Sequence, residues 1–324
     1  MRARISLCLG VFSVMALSNA IVPILAGFGD STISQGAIYS AYFFGAFLLV
    51  LPAGFLADRI GEIPLIRAGL LLTLVSGLLI MTIPSTLLLI IFRLMEGVGA
   101  GLFVPSALSL INARPDHETG SGFFMAMLNI GLVAGLIGGG WLVEVSGMPM
   151  SGIILFTAAA AIPALFSYFL APGPARDLPP EPVSGTLERL VRATREYFWL
   201  WLSTVVILGT TGALTVLYPE FSDLSPGILG FTIAAMSLST AVAVVVVSRM
   251  HLPPIPAIRA ASLGMAVAVM LVFLTPVSFI LVGAIAGVVM IAQLAFLATS
   301  EARQGVVMGL FNAASYGGMS FMPF

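Results

Sequence analysis

The apolar residues of this chain arrive in long blocks, with polar residues gathered into the gaps between them. The blocks fall at 5–27, 33–57, 64–83, 85–112, 121–143, 150–171, 197–218, 227–249, 256–275, 277–299 and 304–324. A block of about twenty residues, rising ~1.5 Å per residue as a helix, matches the roughly 30 Å hydrocarbon core of a bilayer. Inside lipid each backbone amide must find its partner within its own segment, so the pattern predicts helices. A membrane barrel would need segments of about ten residues with alternating polarity, and the chain shows no such pattern. The expected fold class is an all-α membrane protein with eleven spans.

The gaps give those spans a direction. With the N-terminus cytoplasmic, the inner gaps and the block ends beside them hold Arg2, Arg4, Arg59, Arg67, Arg114, Arg176, Arg189, Arg192, Arg195, Arg249, Arg259 and Arg303. The outer gaps hold only the acids Asp30, Glu144, Glu220 and Asp223. This is the positive-inside pattern, and one miscounted span would scramble it. It predicts a multi-pass protein of the cell membrane. Arg2, Arg4 and the apolar run to Ser18-Asn19-Ala20 also resemble a cleavable signal peptide, but the run continues to Leu25, which favours an uncleaved first span. The eleventh block reaches Phe324 without a polar tail, from which a missing twelfth span is expected.

The longest gap, 172–196, divides a six-span bundle at 1–171 from a five-span bundle at 197–324. It opens with Pro172, Pro174, Pro179, Pro180 and Pro182, a semi-rigid linker composition. From Thr186, Leu187, Leu190, Val191 and Thr194 share one helical face, while Glu188, Arg189, Arg192 and Arg195 lie largely opposite. That is the pattern of a helix resting on an anionic leaflet. The two flanks also look related. Pro64-Leu65-Ile66-Arg67-Ala68 is echoed by Pro256-Ala257-Ile258-Arg259-Ala260, each opening the third span of its half. Glu118, Gly122, Met125 and Asn129 recur as Glu301, Gly305, Met308 and Asn312, opening each fifth span. A parallel repeat of this kind is one that transporter folds reuse.

Composition narrows the chemistry. Of 324 residues, 59% are hydrophobic and 8% charged, against roughly 25% charged in a soluble domain, so this is not a soluble protein. All 13 basic residues are arginine and the net charge is −1, which argues against nucleic acid as a partner. The single cysteine, Cys8, rules out an internal disulfide and a multi-cysteine metal site. His117 and His251 lie far apart without ligand spacing, so no metal and no cofactor is expected. The sequence has no nucleophile elbow or phosphate-binding loop. It is therefore read as a non-enzyme, with an intramembrane enzyme or other non-transport protein as the rival from another class. The lipid bilayer is the expected partner, and the protein is expected to be a monomer.

Three motifs carry a mechanism. The turn after the second span reads Gly54-Phe55-Leu56-Ala57-Asp58-Arg59-Ile60-Gly61. Gly54 would allow close helix contact and Gly61 a tight turn. Asp58 is able to accept charge-assisted hydrogen bonds across a gate, or with Arg59 merely to cap a short loop. The fourth span carries Arg93-Leu94-Met95-Glu96-Gly97-Val98-Gly99-Ala100-Gly101. A charge at mid-membrane costs about 2.5–3.5 kcal/mol on insertion scales and marks a cavity by default. Arg93 and Glu96 share a helix face and neutralise each other, either as a permanent structural pair or with Glu96 binding a proton. Gly97 and Gly101 form a small-xxx-small contact. The fifth span contains Gly131, Gly135, Gly138, Gly139 and Gly140, a run suited to tight packing. In the first span Asn19 and Pro23 stand one turn apart, where the proline frees a carbonyl and the asparagine is able to line a substrate cavity. Asn129 and Asn312 are equivalent candidates, and serve equally well as interhelical glue.

The turn after the second span resembles the signature loop of the major facilitator superfamily in sequence, span number and membrane side. It departs at Glu62 and Ile63, where the family usually has basic residues, and Arg67 is a partial substitute. The fourth-span motif resembles that superfamily's arginine and small-residue run, with Glu96 where glutamine is frequent. The fifth-span glycines, among them Gly131, Gly135 and Gly139, look like the signature of its drug:proton antiporters, but Leu136 stands where a proline is expected. The resemblance implies two six-helix bundles around a central cavity exposed alternately to either face. It also implies a secondary transporter of a small solute, proton-coupled, exporting an amphipathic compound, with uptake of a sugar or organic acid as the alternative.

Overall fold

A computed structural model describes residues 2–28, 31–82, 85–112, 117–170, 183–250, 252–298 and 304–323. Twelve α-helices and no strand occur among the described residues. They are α1 (Arg2–Ala20), α2 (Thr32–Ile60), α3 (Glu62–Ile80), α4 (Thr86–Asn112), α5 (His117–Ser146), α6 (Ser151–Phe166), α7 (Val183–Glu196), α8 (Phe198–Phe221), α9 (Pro226–Ser248), α10 (Pro254–Val272), α11 (Ser278–Ala298) and α12 (Gln304–Phe321). Each predicted span finds its helix, and α7 is the amphipathic one between them. Among the described residues, ten helices are long and apolar enough to cross a membrane. The eleventh expected span, α12, is not among the ten, because Gln304, Asn312, Ser315 and Ser320 dilute its apolar residues.

Several ends differ from the predicted ones. The α-helical turns of α1 stop at Ala20, and a 3-10 segment, Val22–Gly27, completes the span. The cause is Pro23, which has no N–H to donate and crowds the preceding turn. Helix α2 runs through Ala57, Asp58 and Arg59 to Ile60, so the expected loop is helical until Gly61. Glu144 and Glu220, read as outer-loop acids, lie inside the last turns of α5 and α8.

The chain divides into two compact units, Met1–Pro180 with Ser225–Gly230, and Glu181–Leu224 with Phe231–Phe324. In the first unit, α4 lies in backbone contact with α2 through Gly45, Gly97 and Gly101, and with α3 through Gly69 and Gly99. A methyl at Gly97 would overlap the main chain of Tyr42, so only glycine permits this approach. Helix α5 lies as closely along α1, with Gly131 on Phe12, Gly135 on Ala16 and Gly139 on Ala20. The core between these layers holds Leu7, Val11, Ile66, Leu70, Phe103 and Phe124.

The second unit repeats this packing with different residues. Gly283 and Gly287 of α11 meet Met236 and Thr240 of α9, as Gly97 and Gly101 meet Tyr42 and Ala46. Gly318 of α12 meets Val205 of α8, as Gly135 meets Ala16. One turn on, Met322 covers Gly209 where Gly139 meets Ala20, so the large and small partners have changed sides. Close-packed interfaces accept such swaps when the summed volume fits.

Candidate functional site

The glycine contacts of α4 commit two of its faces to α2 and α3. Arg93, Glu96, Ala100 and Phe103 share a buried stripe of that helix, the last two within the core of the first unit. Arg93 is 1% exposed and Glu96 not at all. Arg93 Nη1 donates to Glu96 Oε2 at 2.6 Å. The guanidinium also lies over the ring of Tyr42, 4.8 Å from its centroid, a favourable site for a desolvated cation. The pairing is half complete. Among the described residues, Arg93 Nε and Glu96 Oε1 have no hydrogen-bond partner. A buried carboxylate with one free oxygen is able to take a proton there while the other oxygen still holds the arginine. The loss of negative charge then leaves a buried cation held by a neutral acid and an aromatic ring.

The other predicted residues are not gathered at this pair. Asn19 donates to the Met15 carbonyl and to Ser18 Oγ, and Pro23 is buried one turn further on. Asn129 donates to the Met125 carbonyl of its own helix. Asn312 is exposed on α12. At the end of α2, Gly61 has φ 81° and ψ 165°, a conformation essentially closed to other residues. A methyl at Gly54 would meet open space. Arg59 is exposed, and the side chain of Asp58 lies outside the described ones. Glu62, which occupies a position where a basic residue is usual, accepts from Ser109 of α4. Arg67 is not free to act in that turn, because it donates to the carbonyls of Ser167 and Tyr168.

Two features escaped the sequence reading. Tyr42 was one aromatic among many in an apolar block, and only the Gly97 contact shows that it lies under Arg93. Glu144 accepts from the backbone amide of Gly227 at 3.0 Å. Pro226 has no N–H, so the Gly227 amide is the first donor at the positive end of α9, where a carboxylate is favoured. Gly140 and Gly230 bring α5 and this first turn into backbone contact. The signal available was a Pro-Gly helix start and an unassigned acid, which is too common to single out.

Comparison with known proteins bears on the family and the fold. The sequence profile described as Major Facilitator Superfamily matches residues 5–323. A multidrug resistance protein B homolog of Mycobacterium tuberculosis is 30% identical over 138 residues, 41% of this chain and 25% of that protein. The multi-drug resistance efflux pump PmrA of Streptococcus pneumoniae is 40% identical over 115 residues, 33% of this chain and 28% of that protein. The matched region thus spans about a quarter of these relatives' length. Among solved structures, a bacterial homolog of the human lysosomal transporter Spinster superposes with TM-score 0.77 at 17% identity, covering 99% of this chain and 80% of that one. The nucleoside transporter NupG gives 0.78 at 15% identity, covering 99% and 90%.

Proposed function

We propose, for a chain that belongs to the Major Facilitator Superfamily, secondary transport of a small amphipathic solute by alternating access. The protein sits in the cell membrane with its N-terminus cytoplasmic, and export is driven by protons. One observation carries the proton reading: the buried Arg93–Glu96 pair, whose carboxylate keeps an oxygen without a partner among the described residues. A purely structural pair gains most from complete hydrogen bonding, since each buried polar atom left over costs about 1–3 kcal/mol. An incomplete one has a position ready for a proton. Binding that proton would change the pair's net charge from zero to +1 inside a low-dielectric bundle, which biases a two-state equilibrium.

The export direction and the amphipathic substrate class draw on the names of the relatives, a multidrug resistance protein homolog and an efflux pump. The cytoplasmic gate would be the α2–α3 junction, where Gly61 fixes the turn and Asp58 and Arg59 occupy the last turn of α2. The candidate transporter acts without a cofactor. Flux in proteoliposomes under an imposed pH gradient tests the reading. Glu96→Gln should abolish gradient-driven flux and retain counterflow exchange of the solute. Undiminished gradient-driven flux in that variant removes Glu96 from the mechanism.

A further inference from the structure

Helix α9 is shared by the two units. Its first turn, to Gly230, belongs with the first unit, and from Phe231 onward it belongs with the second. Within the first unit that turn lies on α5 and the end of the first span. Gly140 meets the main chain of Pro226 and Gly227, and Gly230 meets the Leu136 carbonyl and the ring of Pro23. Glycine on both sides lets the backbones approach without side chains interlocking, so the two surfaces part as flat faces. Glu144 adds a directional bond across this contact, accepting from the Gly227 amide at 3.0 Å. Beyond Gly230, α9 is tied to α11 instead. Ser239 Oγ donates to the Ile280 carbonyl at 2.6 Å and Thr240 Oγ1 to the Gly283 carbonyl at 3.0 Å.

The repeat shows that α9 does not need Glu144 in order to start. The glycine contacts align Met236 and Thr240 with Tyr42 and Ala46, so Ser225 corresponds to Ser31 and Gly227 to Ile33. Ser31 caps its own helix, its Oγ accepting from the Ser34 amide at 3.3 Å. Ser225 does the same for the Ile228 amide at 3.5 Å. The side chain of Ile33 is 75% exposed, so no helix is seated on the start of α2 there. The Glu144 bond is thus an addition found in one copy, and it comes from another element. A carboxylate at the positive end of a helix holds that end in place.

We propose that Glu144 is an outer latch. Its carboxylate holds the first turn of α9 on α5 while the substrate path is closed to the outside, and its release lets that turn travel with the rest of α9 as the path opens. This rests on the alternating-access reading with a cytoplasmic N-terminus, which puts Glu144 and Gly227 at the outer surface. Glu144 lies at the exposed end of α5, so water takes over both partners when they separate. That exchange keeps the net gain of the closed state small and the step reversible. Glu144 is a positioning residue and touches no solute.

Double electron–electron resonance on the full chain in lipid nanodiscs tests the latch without any solute. Spin labels replace Val145 and Ile228, both exposed, in a Cys8→Ser background. A short distance reports the α9 turn on α5 and a long one its departure. Glu144→Ala should raise the ratio of long to short about tenfold and Glu144→Gln about threefold, as for loss of all or half of a charge-assisted hydrogen bond. Val11→Ala, which opens a cavity in the core of the first unit, should lower the melting temperature and leave that ratio unchanged. A second measurement joins the two sides. A side chain at Gly227 would point at the Glu144 carboxyl group, so Glu144→Cys with Gly227→Cys, again with Cys8→Ser, is placed to form a disulfide. The bridged protein should lose gradient-driven flux at least tenfold and regain it on reduction. Three outcomes overturn the latch: a ratio indifferent to Glu144→Ala, a ratio moved as far by Val11→Ala, or a bridged protein that transports as fast as its reduced form. Absent flux in every form, with the ratio still answering to Glu144, would overturn the transport reading and leave the latch standing.

Discussion

Replacing Glu96 and Arg93 singly and together separates a structural ion pair from a working one. At 2.6 Å and an effective dielectric of about 20, the Coulomb attraction is on the order of 6 kcal/mol. Taking both ions out of water costs several kcal/mol each, so the intact pair sits near break-even. Breaking it is a different matter. Glu96→Leu leaves Arg93 charged, buried and unpaired, which costs about 3–5 kcal/mol. At roughly 2–4 °C per kcal/mol for a body of this size, that lowers the melting temperature by roughly 10 °C. Glu96→Gln keeps an acceptor for Arg93 Nη1 and should fall less far. Arg93→Met with Glu96→Leu removes both charges and should recover most of the lost stability, because an apolar pair of similar volume replaces an ionic one at little net cost. The assay is thermal unfolding of the purified variants beside pH-gradient-driven flux in proteoliposomes. The proton reading predicts that the double variant regains stability without regaining driven flux. Driven flux restored along with stability would reduce the pair to scaffolding and refute the reasoning.

Gly61→Ala should cost about 1–3 kcal/mol, because φ 81° with ψ 165° is a region populated almost only by glycine. Gly54→Ala, inside helix α2 and facing open space, should instead stabilise by about 0.5–1 kcal/mol, and equal losses in the two melts would contradict that contrast. Gly135→Leu should prevent α5 from approaching α1, since even a methyl there overlaps the Ala16 main chain, and should be read as loss of the monodisperse peak in detergent chromatography. Glu144→Ala removes a carboxylate from the first donor of α9, a charge-assisted bond worth about 1.5–3 kcal/mol. Its melting temperature should drop while Glu144→Gln loses roughly half as much, and no drop in either would show that water replaces the carboxylate at no cost.

The helices were legible because lipid leaves a segment little choice: twenty apolar residues that cannot share backbone hydrogen bonds with neighbours must satisfy them internally. The same reasoning explains where legibility stopped. Helix ends are set by local chemistry, and there the sequence misled in both directions. Asp58 and Arg59 looked like loop residues yet continue α2, because nothing before Gly61 forces the chain out of helical dihedrals. Glu144, read as an outer acid, continues α5 and finds its partner 83 positions away. Partners at such separation leave no trace in spacing. Arg93 and Glu96 were legible as a pair because three residues on a helix fix a shared face. Their third member, Tyr42, was not, because it depends on how closely α2 approaches α4. That approach was written in the sequence all the same, as Gly97 and Gly101, and the second unit uses Gly283 and Gly287 in the same way. The repeat is thus deeper in packing than in identity. At the turn of α11 that answers to Arg93 and Glu96 the second unit has Phe279 and Val282, both fully buried and apolar. One scaffold built twice therefore carries its buried ion pair in only one copy. A structural requirement of the fold would be expected in both halves, so the asymmetry favours a task specific to the first.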